Sequence, residues 1–117
     1  MSEEAKRLLA LFAGSPDAHG TYSIERATAV AGKVEIKSSA LTIREPVTEK
    51  LWDDHLAGKT PLGVIPLMST NMIVWGCGDV DDYTVNHSEL VEKIRRFELP
   101  LILTKSKSGG AHLFLFL

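Results

Sequence analysis

The sequence holds a single cysteine, Cys77, in 117 residues. That excludes an intramolecular disulfide and a zinc site built on several cysteines. An excess of charge is missing too. Lys and Arg number 13 against 15 Asp and Glu, a net charge of -2. No global attraction to nucleic acid follows, so any such contact must use a local basic patch. Long hydrophobic runs are absent. The early apolar stretch at 8–13 falls far short of the ~20 residues that a membrane-spanning helix needs. No basic segment, apolar core and cleavage site follow one another near the start, so no signal peptide is expected. A cytoplasmic location away from membranes is the default. Repeats, low-complexity segments, linkers and the G-x-x-x-x-G-K-[ST] spacing of a Walker A loop are also lacking.

What is present suits one small core. The chain is 44% hydrophobic and 24% charged, enough apolar material for a single domain over 1–117. Residues 113–117 are wholly apolar and read like the middle of a buried strand. Domains seldom stop there. The expectation is a domain lacking its C-terminal part, or one half of a larger unit.

Nine elements are expected, in the order α-β-β-α-β-β-α-β-β. Ser2 caps a first helix with Glu3 and Glu4 in its opening turn, and Leu8, Leu9, Leu11 and Phe12 form its apolar face. Gly14 and Pro16 end it. Residues 21–29 and 33–43 alternate roughly and read as a hairpin turning at Ala31-Gly32. A second helix is expected over 46–57, with Pro46 in its first turn and Gly58 beyond its end. Residues 62–67 and 72–77 read as strands around Ser69-Thr70-Asn71. Asn86, with Glu89 three residues on, begins a third helix. Leu90, Val91, Ile94 and Phe97 face its core side, with Lys93, Arg95 and Arg96 outside. Strands at 101–103 and 111–117 flank a turn at Ser108-Gly109-Gly110. Such an order predicts an α+β fold.

Two stretches carry chemistry. The apolar run Met72-Ile73-Val74-Trp75 leads into Gly76-Cys77-Gly78-Asp79-Val80-Asp81. On a strand Asp79 and Asp81 share a face and Val80 points into the packing. Paired carboxylates are tolerated in solvent, or around a cation such as Mg²⁺ or Mn²⁺. Taken alone, the stretch also reads as a solvated strand end with Asp82-Tyr83 as turn residues. The second stretch is Lys105-Ser106-Lys107-Ser108-Gly109-Gly110-Ala111-His112. It offers cations, hydroxyls, a close backbone approach at the glycines and a histidine able to donate to phosphate. Alone, it reads as a flexible hairpin with solvated lysines and one satisfied histidine. One helix and one strand separate the two, a connection that can set their strands side by side. Asp79, Asp81 and His112 would then face one groove, fit for a metal-bound nucleoside triphosphate.

At this point the chain resembles the archaeo-eukaryotic primase superfamily, most closely the primase-polymerase domains of mobile-element and conflict-system proteins. Asp79-Val80-Asp81 matches that family's apolar strand ending Asp-apolar-Asp, and Gly110-Ala111-His112 its small-x-His motif. Ser106-Lys107-Ser108-Gly109 matches the Ser-basic-Ser-Gly pattern before it. His55-Leu56-Ala57-Gly58, Gly63-Val64-Ile65-Pro66-Leu67 and Phe12-Ala13-Gly14 are similar as well. The resemblance implies an RRM-like antiparallel or mixed sheet with packed helices, plus a small N-terminal αββ module. It implies a DNA primase or polymerase type of nucleotidyltransferase acting on a DNA or RNA template strand. Asp79 and Asp81 would bind Mg²⁺ or Mn²⁺, and His112 would contact the nucleotide's phosphates as a catalytic residue. Ser106, Lys107 and Ser108 would assist in nucleotide binding. The family's third motif, a further carboxylate downstream, has no counterpart before Leu117. The resemblance therefore implies a missing C-terminal segment, or another chain, that pairs with the last strand and supplies it.

Two other functions stay open on the residues alone: a non-catalytic module binding nucleotide or single-stranded nucleic acid, and an assembly fragment. Cys77 reads as a buried structural thiol and Trp75 as core. Tyr83 is as compatible with base stacking as with packing. His55 and His87 need no ligand role. Lys93, Arg95 and Arg96, like Lys33, Lys37 and Arg44, read as solvated faces that a template backbone could touch.

Overall fold

The computed structural model describes residues 2–30 and 33–117, with the backbone alone for 24–30 and 33–38. Among them are three helices and five strands: α1 (Glu3–Leu11), β1 (His19–Val30), β2 (Lys33–Ile43), α2 (Glu49–Leu56), β3 (Trp75–Val80), α3 (His87–Arg96), β4 (Ile102–Lys105) and β5 (Ala111–Phe116). The fold is α+β. β1 and β2 form a two-stranded sheet, and β3, β4 and β5 a three-stranded one in the order β3-β5-β4. The expected turn at Ala31-Gly32 lies outside the described residues. The contacts gather into two compact units. One comprises Met1–Ser23, Ser38–Trp75 and Leu117, the other Ile24–Lys37 and Gly76–Phe116.

In the first unit, capping decides where helices begin. The Ser2 hydroxyl accepts from Ala5 N at 3.1 Å, which satisfies one of the donors a helix leaves unpaired. α2 starts at Glu49 rather than at Pro46. Thr48 is extended and its hydroxyl accepts from Leu51 N at 3.2 Å, so Pro46 and Val47 precede the helix. Phe12 joins the two tryptophans: its ring lies 5.5 Å from Trp52 and 5.1 Å, edge to face, from Trp75. Such ring pairs contribute about 0.5–1.5 kcal/mol each beyond their buried area. Trp75 is 8% exposed and its indole nitrogen donates to Ala13 O at 3.0 Å, as expected of a core residue. The Trp52 indole nitrogen is buried and has no hydrogen-bond partner among the described residues. Its ring is kept by packing rather than by a polar tether.

The expected hairpin at 62–67 and 72–77 does not form. The turn exists: Met68 N donates to Met72 O at 3.0 Å, and Asn71 adopts φ 61°. Strand pairing around it fails. Pro66 lacks the N–H a ladder requires, and Gly63 pairs in a single bridge with Gly20. The apolar run is correspondingly less buried than its composition predicts. Met72 is 64% and Ile73 47% exposed, and β3 begins only at Trp75.

In the second unit, β4 and β5 are antiparallel, with Ile102 opposite Phe114 and Thr104 opposite His112. Gly78 lies against Leu113 and Gly110 against Val80, so β3 and β5 are antiparallel too. β3 and β4 are thus parallel, linked through α3, with β5 between them. This is a split β-α-β arrangement. It corrects one expectation: along Ala111–Phe114 the last strand has neighbours on both sides and offers no free edge for another chain. α3 starts as expected, with the Asn86 side chain accepting from Glu89 N at 3.0 Å. Its apolar face is only partly covered. Leu90 and Ile94 are half-buried, whereas Val91 and Phe97 are exposed and the Arg96 guanidinium lies 5.0 Å from the centre of the Phe97 ring.

One titration prediction comes from α1 and α2. The Ser2 hydroxyl donates to Asp53 Oδ1 at 2.5 Å, and this bond, helped by the backbone N–H of Ser2 and by Lys50, holds the Asp53 carboxyl below its ordinary range against the opposing effect of desolvation. A carboxylate with a depressed folded-state pKa stabilises the fold above its unfolded value, and that contribution is lost as pH falls through the folded value. Wild type should therefore melt above Asp53→Asn at neutral pH. The gap should close below about pH 4, as read from melting temperatures across a pH series.

Candidate functional site

β3 and β5 bring together two of the predicted residues. Asp79 Oδ1 lies 3.7 Å from His112 Nε2, with the side chains 67% and 41% exposed. Side-by-side strands explain the meeting. Antiparallel neighbours at directly opposed positions point to one face. An imidazole carrying a proton on Nε2 presents a donor next to an oxygen-rich group.

Asp81 lies one residue beyond β3, which ends at Val80. Its carboxylate accepts from the Tyr83 hydroxyl. Tyr83 is half-buried and its hydroxyl is engaged there. Asp82 is a turn residue, as one reading had it. Its carboxylate accepts from Thr84 Oγ1 at 2.7 Å and Thr84 N at 2.9 Å. The hydroxyl first and then the amide hold the Asp82 carboxyl below its usual range.

The turn between β4 and β5 is built around Gly110. A Cβ at this position would overlap the Val80 carbonyl oxygen and come within 3.3 Å of Ser106 Oγ. Only a residue without a side chain allows the end of β3 and the start of β5 to approach so closely. The Gly110 carbonyl accepts from Ser106 N at 3.1 Å, and Gly109 N donates to Ser106 O at 3.1 Å. Gly109 has φ 97°. Ser106 and Ser108 are half-buried and Lys107 is exposed. Ala111 is fully buried, so the residue before His112 is fixed by packing.

One residue departs from expectation and another acquires a partner that the sequence does not mark. Cys77 is exposed, not buried, and its thiol donates to Gly78 O at 3.5 Å. On β3 it shares a face with Asp79, whose side chain is itself exposed. Nearby protein still removes enough water to raise the thiol's pKa. Asp79 adds to the rise, while a hydrogen bond with the Leu113 backbone opposes it. A raised thiol is protonated at neutral pH and a poor nucleophile. His87, which needs no ligand role on the residues alone, donates from Nε2 to Gly110 O at 2.8 Å. No local pattern marks it, because its partner lies 23 residues away.

Asp79 and Asp81 supply the hard oxygen donors that Mg²⁺ and Mn²⁺ prefer. Mg²⁺ commonly takes one or two protein carboxylates and completes its shell with water and phosphate. The donor chemistry therefore fits. Among the described residues, no group of three or more His, Cys, Asp and Glu side chains is arranged to hold a metal.

The family model for the TOTE conflict system, Archaeo-Eukaryotic Primase domain, matches residues 15–117. The chain belongs to this family. Archaeo-eukaryotic primase domains are primase- and polymerase-type nucleotidyltransferases that generally use divalent metals and bind nucleotides and nucleic acid. The match includes the Asp79-Val80-Asp81 and Gly110-Ala111-His112 motifs and leaves Phe12-Ala13-Gly14 outside. No curated protein matches the chain. Among the described residues, no helix is long and apolar enough to cross a membrane.

The glycine geometry predicts a stability contrast. Gly110→Ala should destabilise the domain by about 1–3 kcal/mol, the usual range for overpacking. A Cβ at Gly76 meets nothing within 4 Å, so Gly76→Ala should be neutral or slightly stabilising. Urea unfolding of both variants checks this. Equal stabilities would show that the β3 and β5 backbones can separate without cost.

Proposed function

We propose that the face shared by β3 and β5 holds a metal-bound nucleoside triphosphate and that the domain performs template-directed nucleotidyl transfer. The observation that carries this reading is the 3.7 Å approach of His112 Nε2 to Asp79 Oδ1. An imidazole able to donate to phosphate then stands beside a carboxylate able to hold a metal, in a chain of the primase family, and this supports the reading. Asp79 and Asp81 would hold Mg²⁺ or Mn²⁺. The ion supplies charge stabilisation for the oxygens that attack and leave during phosphoryl transfer.

The chain's own groups then have separate tasks. His112 donates from Nε2 to a phosphate oxygen of the nucleotide, a bond strengthened when the ring is charged. Ser106, Lys107 and Ser108 offer hydroxyls and a cation to the remaining phosphate oxygens. Gly109 and Gly110 keep that turn free of side chains that would block approach. In the reaction, a 3′-hydroxyl on the primer or first nucleotide attacks the α-phosphorus. A new phosphodiester bond forms, the bond to the bridging oxygen breaks, and pyrophosphate leaves. The proton released by the hydroxyl goes to solvent. A DNA or RNA template strand would select the nucleotide, and Lys93 and Arg95 on α3 are basic groups able to meet its backbone.

A second reading is nucleotide binding without turnover. It is supported by the pair, rather than triplet, of acidic side chains that the two motifs contribute. Calorimetry of a nucleoside triphosphate with Mn²⁺ tests the site itself. Wild type should bind only with metal, and Asp79→Asn/Asp81→Asn should abolish the signal. A folded wild type that does not bind would overturn both readings. Incorporation on a primed template then separates them: extension supports transfer, and binding without extension supports the module that only binds.

A further inference from the structure

We infer that His87 is a positioning residue for His112, acting through the Gly110 carbonyl. The inference rests on the nucleotide-site reading above for its functional consequence, but its geometry stands independently. His87 opens α3, the helix that follows the acidic motif, and it is half-buried. Its Nε2 donates to Gly110 O at 2.8 Å. That carbonyl also accepts from Ser106 N at 3.1 Å. Both acceptor positions of the oxygen are thereby used.

Gly110 is held on its other side as well. Its Cα sits so close to the Val80 carbonyl that no side chain fits between. The residue is therefore gripped from the end of β3, from Ser106 at the start of the turn, and from the first residue of α3. Two residues later comes His112, across from Asp79. Ala111 between them is fully buried, so displacement of Gly110 cannot be absorbed there without opening the packing. The His112 side chain itself is two-fifths exposed.

The turn would otherwise be easily deformed. Gly109 has a positive φ and Gly110 has no side chain, and glycines are the residues with most backbone freedom. A side-chain donor from a neighbouring helix restricts that freedom where the site needs it. In this role His87 touches neither nucleotide nor metal. Its contribution is the preorganisation of a group that does.

Three variants test the proposal: His87→Ala, which removes the donor, His87→Gln, whose amide can reproduce it, and His112→Ala. Two readouts are used. The first is the ring signals of His112 in NMR, with the cross-relaxation between its ring and Phe114, whose centroid is 6.1 Å away. His87→Ala should broaden or shift these signals and weaken the cross-relaxation, and His87→Gln should restore both. The second is Mn²⁺-dependent nucleoside triphosphate affinity. His87→Ala should weaken it about fivefold, as expected for one lost hydrogen bond, with His87→Gln close to wild type. In the His112→Ala background, His87→Ala should then have no further effect. Unchanged His112 signals in a folded His87→Ala variant overturn the proposal. So does an additive loss of affinity in the double variant. If wild type binds no nucleotide, the nucleotide-site reading fails on its own, and the NMR comparison still decides the role of His87.

Discussion

The contact between the Gly110 backbone and the Val80 carbonyl governs the rest of the candidate site. It joins the residue just before Asp81 to the residue two before His112. Strand pairing alone would bring β3 and β5 to the usual spacing, roughly 4.8 Å between chains. At this end the approach is closer than any side chain permits, so the site is closed by backbone rather than by side-chain packing. Hydrogen bonding then completes what sterics begin. The Gly110 carbonyl takes two donors, and Ser106 both gives and receives across the turn. A buried or half-buried carbonyl without such partners would cost about 1–3 kcal/mol. The network therefore favours one turn conformation over the many that two adjacent glycines allow.

The Asp79–His112 pair is of another kind. Its members are substantially exposed and 3.7 Å apart. Exposed pairs at such distances typically contribute about 0–1 kcal/mol, less in salt. Little stability depends on it. What holds the two side chains near each other is the ladder beneath them, together with the buried Ala111 and the packing of Gly78 on Leu113. The fold supplies position, and the pair itself is left weak. A weakly held carboxylate and imidazole can exchange each other for better partners without unfolding anything. A site that must accept a ligand with many charges benefits from that property.

Local signals in the sequence translated well into structure. Ser2 and Asn86 cap their helices by side-chain acceptance, because capping needs only residues three positions apart. The β4–β5 turn was legible from Ser108-Gly109-Gly110 for the same reason. Adjacency of the acidic and histidine motifs was legible too, through the short helix–strand connection between them. Where the reading failed, a distant partner or a competing bond decided. Residues 62–67 look like a strand, but Gly63 bonds to Gly20 and Pro66 cannot donate. Pro46 looks like a helix start, but the Thr48 hydroxyl caps the helix so that it begins three residues later, at Glu49. Cys77 looks buried by its apolar approach, yet it lies on an exposed stretch of β3 beside Asp79. His87 could not be found locally, since the group that gives it a role lies on another strand.

Glycine explains why a family resemblance can be strong where composition is bland. Gly14 in the first unit repeats the device of Gly110 in the second. A Cβ there would overlap the Ile65 carbonyl oxygen, and the neighbouring Ser15 N donates to that same oxygen at 2.8 Å. Ile65 belongs to the Gly63-Val64-Ile65-Pro66-Leu67 segment, one of the stretches by which the chain resembles primases. That segment looks like a strand in the sequence and is not one, yet the Gly63 and Ile65 backbone groups are bonded. Its role is to offer backbone carbonyls to glycine-bearing loops. A motif of small and apolar residues can thus record a close backbone approach instead of a secondary-structure element. The same logic separates the two halves of Gly110-Ala111-His112: Gly110 and Ala111 are required by sterics and burial, while the half-exposed His112 is required by neither. The histidine is the part of the motif that stability does not explain, and the proposed contact with a nucleotide's phosphates would give it a task.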